Sequence, residues 1–201
     1  MKLFYSGASP YVRKCMVVAH ELGLAARIEH LPAAAHPVNR DPNIVRNNPL
    51  GKVPTLLTDD GTVLYDSRVI CEWLDSSFNG RLFPREGTAR WHALVLQSLA
   101  DGILDAALLA RYEEAARPEA LRWADWQAGQ IDKIRTALLS LDQAPEQLQG
   151  RVDIGTLSLA CALGYLDLRY DAWGWRGRFP AVAEWAEGFM QRPSMLAVWA
   201  A

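Results

Sequence analysis

The sequence predicts a small α/β domain followed by a larger all-helical one. Two observations carry that reading. Strand signals are confined to residues 1–80, where they alternate with two amphipathic helical patterns in the order strand, helix, strand, loop, strand, strand, helix. Beyond Pro84 the strand signals give way to long helical patterns, and seven of the eight tryptophans lie after Gly80. The expected division is an α/β domain over residues 1–80, a linker over 81–87 and a helical domain over 88–201.

Residues 2–5 form a short apolar strand, and the loop Ser6-Gly7-Ala8-Ser9 leads to a helix start. Pro10 suits the first helical position and Ser9 its N-cap. The helix carries Val12, Met16, Ala19 and Leu22 on one face and stops near Gly23. Ile28 to Leu31 reads as a second strand, and a polar loop rich in Pro and Asn runs from Pro32 to Pro49. Thr55 to Thr58 and Thr62 to Tyr65 pair as a hairpin across Asp59-Asp60-Gly61. From Ser67 the positions Val69, Ile70, Trp73, Leu74 and Phe78 make one helical face, ended by Asn79-Gly80. In the second half, Thr88 to Arg117 reads as one long helix. A further helix is expected to open at Pro118 and run through Leu138, another to follow Asp153, and a last to span Pro180 to about Arg192.

Composition narrows the function. The net charge is −2 and both signs are mixed along the chain, so no electrostatic footprint for nucleic acid or an anionic membrane is present. The longest apolar runs, such as Leu157 to Leu166, fall short of the roughly 18 residues that span a bilayer. Met1-Lys2-Leu3 runs straight into a strand pattern, and a cytoplasmic location is expected. Cys15, Cys71 and Cys161 are odd in number and embedded in apolar helical patterns, which favours buried free thiols over a disulfide framework or zinc site. The four histidines lack metal-ligand spacing, so no metal is expected.

The most telling stretch is Gly51-Lys52-Val53-Pro54-Thr55-Leu56-Leu57 with Tyr65-Asp66-Ser67 behind it. Pro54 lacks the N–H that a central strand uses, so it belongs at a strand start or a special turn. Backbone left open there suits a peptide-like ligand bound edge to edge. Asp66-Ser67 stands where a helix begins, offering a hydroxyl and free N–H groups to a carboxylate and a carboxylate to an ammonium. Together they describe a site for a small zwitterionic peptide.

Four segments then resemble the cytosolic glutathione transferases, most closely their bacterial YibF-like branch: Ser9-Pro10-Tyr11-Val12-Arg13-Lys14, Asn48-Pro49-Leu50-Gly51-Lys52-Val53-Pro54, Asp66-Ser67, and Ala160-Cys161-Ala162-Leu163-Gly164-Tyr165-Leu166. The resemblance covers essentially the whole chain. It implies a thioredoxin-like N-terminal domain with a cis Val53–Pro54 bond, an all-helical C-terminal domain, a homodimer and a role in detoxification. Two departures stand out. Asp66 occupies a place where Glu or Gln is common, and the capping pair of the core helix is reversed, with Asp153 first and Thr156 three residues on.

By that resemblance the cosubstrate is glutathione, a tripeptide whose thiol must ionise. Lowering a thiol pKa from near 8.5 by one to two units takes roughly 1.4–2.7 kcal/mol of thiolate stabilisation. Ser9 is the expected source, through its hydroxyl and its place at a helix N-terminus; Tyr5 is the rival. With Ala8 and Ser9 where cysteine-dependent relatives carry Cys, conjugation to a small hydrophobic electrophile is favoured over disulfide chemistry. Val53 is implied to pair its backbone with the cysteinyl part, Lys52 to reach the glycine carboxylate, Ser67 the γ-glutamyl carboxylate and Asp66 its ammonium. The electrophile is implied to bind near Arg111 and Tyr112. A non-catalytic glutathione-binding protein and a glutathione-dependent isomerase, dehalogenase or peroxidase remain the alternatives.

Overall fold

A computed structural model describes residues 1–199 and divides the chain into two compact units, Met1–Arg85 together with the segment from Pro193 onward, and Glu86–Arg192. The first unit holds a four-stranded mixed sheet of order β2-β1-β3-β4, with β1 Lys2–Tyr5, β2 Glu29–Pro32, β3 Thr55–Leu57 and β4 Val63–Leu64. β1 runs parallel to β2, as the intervening helix α1 (Pro10–Glu21) requires, and antiparallel to β3. The short loop over 58–62 makes β3 and β4 antiparallel, tied by Thr58, whose N–H donates to the Thr62 carbonyl at 2.9 Å. This is a thioredoxin-like sheet, as the family resemblance implies.

Helix α3 (Ser67–Ser77) packs against α1; of the face read from the sequence Ile70 and Leu74 are fully buried, Trp73 and Phe78 half-buried, and Val69 lies 47% exposed, while Cys71 joins the buried side. Asn79 takes a left-handed φ of 54° and ends that region of chain, where Asp75 accepts N–H bonds from Leu82 at 2.9 Å and Phe83 at 3.1 Å. All three cysteines are buried thiols outside any disulfide, and the sulfurs of Cys15 and Cys71 lie 3.9 Å apart between α1 and α3.

Three local expectations change in the first unit. The loop from Pro32 to Pro49 contains a helical turn, α2 (Pro42–Val45), because Asp41 caps it by accepting from Asn43 N–H at 2.8 Å and Pro42 pre-sets the first φ. The second strand lies one residue later than Ile28–Leu31. The final residues do not extend the helical unit: α9 (Pro193–Trp199) packs on α1, with Met195 fully buried and Arg13 donating to the Val198 carbonyl at 2.8 Å while stacking 4.2 Å over the Trp199 ring.

The second unit is built from α4 (Gly87–Ala115), α5 (Ala124–Asp142), α6 (Ile154–Tyr170), α7 (Trp175–Arg178) and α8 (Pro180–Met190). Its centre is the α4–α6 pair. α6 is buried along almost its full length, and its N-terminus carries the expected reciprocal cap: Asp153 accepts from Gly155 and Thr156 N–H groups, and Thr156 Oγ1 accepts from Asp153 N–H at 3.0 Å. α5 opens at Ala124 and not at Pro118. Pro118 is extended, a single 3-10 turn follows over Glu119–Leu121, and the buried Glu113 carboxylate accepts the Trp123 N–H at 2.8 Å, fixing the helix start there. By length and composition an 18-residue stretch of α4 is apolar enough to cross a bilayer, contrary to the short runs expected, yet 56% of it is buried inside the protein, as befits a core helix.

Candidate functional site

Strand register brings the predicted site segments together. Phe4 pairs with Thr55 and Leu56 with Leu64, so the chain leaving β1 toward Ser9, the Val53–Pro54 bond entering β3 and the Asp66–Ser67 turn leaving β4 all lie at one end of the sheet. Continuing each register past its last pair sets Tyr5, Pro54 and Asp66 level with one another.

Each segment is held by its own local chemistry. The Ser9 N–H donates to the Ser6 carbonyl at 2.9 Å, and Ser9 Oγ accepts from the Val12 N–H at 3.3 Å as the N-cap of α1. That bond uses an oxygen lone pair and leaves the hydroxyl proton available for donation. Arg13, on the second turn of α1, donates from Nε to the Gly7 carbonyl at 2.6 Å and so pins the loop before Ser9. Tyr5, the rival to Ser9, has its ring stacked on His30 with centroids 4.1 Å apart and planes 6° from parallel.

The Val53–Pro54 bond is cis. The loop before it is clamped by Asn48, almost wholly buried, whose Nδ2 donates to the Lys52 carbonyl at 3.2 Å and to Thr55 Oγ1 at 3.0 Å while its Oδ1 accepts from Leu50 N–H at 3.0 Å. Thr55 Oγ1 closes the same loop by donating to the Lys52 carbonyl at 2.9 Å. Gly51 turns the chain with φ 63°, where a Cβ would meet Val45 Cγ2 at 3.1 Å. The Lys52 side chain is exposed and Val53 half-buried.

Asp66 is the N-cap of α3 and accepts the Arg68 N–H at 3.0 Å. The Arg68 guanidinium also grips both carboxylate oxygens, Nε to Oδ1 at 3.3 Å and Nη2 to Oδ2 at 2.8 Å. Hydrogen bonding from that side chain holds the Asp66 carboxyl below the usual carboxylate range against the opposing effect of its partial burial, helped by the charge of Lys14. Ser67 opens α3 and is 2% exposed, with its carbonyl 3.9 Å from Cys15 Sγ. Sequence reasoning missed Arg68 and the fully buried Lys14. An arginine two residues beyond an N-cap aspartate is a readable signal for the first; a lysine at a helical position between Val12 and Cys15 looks like a solvated one until the fold covers it. A concavity of about 500 Å³ lined by Asn79, Gly80, Arg81, Phe83, Pro84 and Arg85 includes none of the site residues. Among the described residues no cluster of metal-ligating side chains occurs.

Residues 8–77 match the family described as glutathione S-transferase, N-terminal domain. Over 206 aligned residues the chain is 33% identical to the uncharacterized GST-like protein YibF of Escherichia coli (strain K12), covering 96% of each. The chain belongs to the glutathione transferase family. A glutathione transferase family member from Pseudomonas fluorescens Pf-5, solved with bound glutathione, is 48% identical over 98% of this chain and 97% of its own, with a TM-score of 0.95. A glutathione S-transferase from Methylobacillus flagellatus KT, also with glutathione bound, is 34% identical over 98% of each chain, with a TM-score of 0.89. Against these glutathione transferases the chain matches along its length, so its α/β unit and its helices are those of the family.

Proposed function

We propose that this protein is a cytoplasmic, homodimeric glutathione transferase that adds the glutathione thiolate to a small electrophile, with Ser9 stabilising the thiolate. The observation that carries the reading is the meeting, at one end of the sheet, of a helix-capping hydroxyl, a cis-proline strand entry and an acidic helix N-terminus. Relatives that hold glutathione support it, and one Pseudomonas fluorescens Pf-5 structure holds S-(propanoic acid)-glutathione, a sulfur-linked derivative of the tripeptide.

In this reading the backbone of Val53 pairs with the cysteinyl residue and thereby fixes where the sulfur sits. Lys52 meets the glycine carboxylate, Ser67 and the N-terminal amides of α3 meet the γ-glutamyl carboxylate, and Asp66 meets its ammonium. Ser9 then donates its hydroxyl proton to the sulfur while its oxygen goes on capping α1, and the N-terminal partial charge of that helix adds to the stabilisation. The thiol proton leaves to solvent. The thiolate forms a carbon–sulfur bond at the electrophile as the leaving group departs with its electron pair.

Substituting Ser9→Ala removes the donor and the cap together. Conjugation of 1-chloro-2,4-dinitrobenzene is expected to lose roughly ten- to a hundredfold in kcat/KM, about 1.4–2.7 kcal/mol, with glutathione affinity by calorimetry largely kept. An unchanged rate would take Ser9 out of this role. A protein that draws no heat from millimolar glutathione would end the reading altogether.

A further inference from the structure

Arg13 joins two parts of the first unit that lie far apart in sequence. It is 9% exposed. Its guanidinium donates from Nε to the Gly7 carbonyl at 2.6 Å and from Nη1 to the Val198 carbonyl, 185 residues away, at 2.8 Å, while stacking 4.2 Å over the Trp199 ring. A planar guanidinium carries its donors in a rigid fork, so a partner that fixes one arm also aims the other. α9 supplies that partner. It is itself anchored on α1, with Met195 fully buried and Ser194 Oγ donating to Glu21 Oε1 at 2.5 Å.

The same residue brackets Ser9. Its backbone N–H donates to the Ser9 carbonyl at 3.0 Å on the helix side, and its Nε holds the Gly7 carbonyl on the loop side. The loop has little of its own to anchor it there, since Gly7 has no side chain and Ala8 is exposed. Short exposed loops with few buried contacts open at low cost, and a charge-assisted bond to a loop carbonyl raises that cost.

We propose that Arg13 is a positioning residue through which α9 sets the place of the Ser9 hydroxyl, so that α9 completes the thiolate site of the unit it lies on. As a statement about catalysis it rests on the reading of Ser9 as the donor to the thiolate; as a statement about what holds the loop it does not. A donor displaced by about 1 Å from its productive place costs up to roughly a hundredfold in rate. In that reading other segments, Lys52 with Val53 and Asp66 with Ser67, grip the tripeptide. Loss of the tie therefore falls on turnover and spares glutathione binding.

Two substitutions test the tie from its two ends. Arg13→Met keeps the apolar stem and removes the donors; Trp199→Leu leaves Arg13 in place and removes the ring it stacks on. With 1-chloro-2,4-dinitrobenzene, Arg13→Met is expected to lose about tenfold in kcat and Trp199→Leu about threefold, with glutathione affinity by calorimetry kept in both. In a Ser9→Ala background neither should cost more than about twofold, since a residue acting through Ser9 then has nothing left to position. Hydrogen exchange followed by NMR gives a readout without turnover. The Ser9 amide should exchange about tenfold faster or more in both variants, while the Ile70 amide, bonded to the Asp66 carbonyl at 3.0 Å in the same unit, keeps its wild-type rate. Should Arg13→Met not fold, Trp199→Leu carries both readouts by itself. If Ser9→Ala lowers the rate as expected, an equal loss from the second substitution with and without it overturns the inference. Ser9 and Ile70 amides that speed up together, or a Ser9 amide that keeps its rate, overturn it as well. Should Ser9→Ala leave the rate untouched while Trp199→Leu still loosens the Ser9 amide alone, the tie from α9 stands and the thiolate role of Ser9 falls.

Discussion

Asp66 stands in two relationships at once. Its side chain caps α3 and accepts both arms of Arg68, so a ligand ammonium would join an occupied carboxylate and not an empty one. Because Arg68 depresses the folded-state pKa, the contribution of ionised Asp66 is fully present above the ordinary aspartate value near 3.9 and is lost only as pH falls through the lower folded value. An NMR titration of the Asp66 carboxyl carbon should therefore give a midpoint below about 3.9, and Arg68→Ala should return it toward that value. A midpoint that ignores the substitution would rule out the guanidinium as cause. At this scale the sequence was readable where chemistry is local: Ser9 as N-cap, Asp66 as helix start, Asp153 with Thr156 as a reciprocal cap. It was silent on Lys14, whose burial depends on segments far away along the chain.

Helix boundaries follow the same division. The stop at Gly23, the hairpin at Asp60-Gly61 and the start of α8 at Pro180 are all written in adjacent residues. The cap of α8 is not: Asp142, at the end of α5, accepts the Ala181 and Val182 N–H groups at 2.8 and 3.1 Å, a pairing nearly forty residues apart that no local pattern announces. Gly155 is a second case. In a helix interior, replacing glycine by alanine ordinarily gains about 0.5–1 kcal/mol. Here an added Cβ would stand 2.6 Å from the Ala93 carbonyl oxygen and 2.8 Å from Leu96 Cβ, neither of which can swing aside. The overpacking cost of roughly 1–3 kcal/mol should outweigh the propensity gain. Gly155→Ala is expected to lower Tm by a few degrees in a thermal melt, at about 2–4 °C per kcal/mol for a chain of this size. A higher Tm would show that α4 and α6 have slack between them.

For the molecule as a whole, the exposed apolar surface of α4 is the feature that calls for a partner. Trp91 is 64% exposed and Val95, one turn further along, 66% exposed. Two large apolar side chains on one face of the principal core helix favour the proposed homodimer, since burying them would contribute about 1.5–3 kcal/mol each. Sedimentation equilibrium should give about twice the 22.4 kDa chain mass, and Trp91→Glu should shift the population toward the single chain. A single-chain mass for the unmodified protein would refute the dimer.

The sequence by itself determined the α/β-then-helical architecture, most of the order of strands and helices, and three of the segments proposed to meet a tripeptide, because periodicity, caps and turn residues act within a few positions of one another. Only the tertiary structure decided that α9 returns to lie on α1, that Lys14 is fully buried, and that Asp142 caps α8. Those outcomes depend on which distant side chains the packing sets side by side, and a buried charge or an unpaired donor exists only once the surrounding chain has excluded water from it.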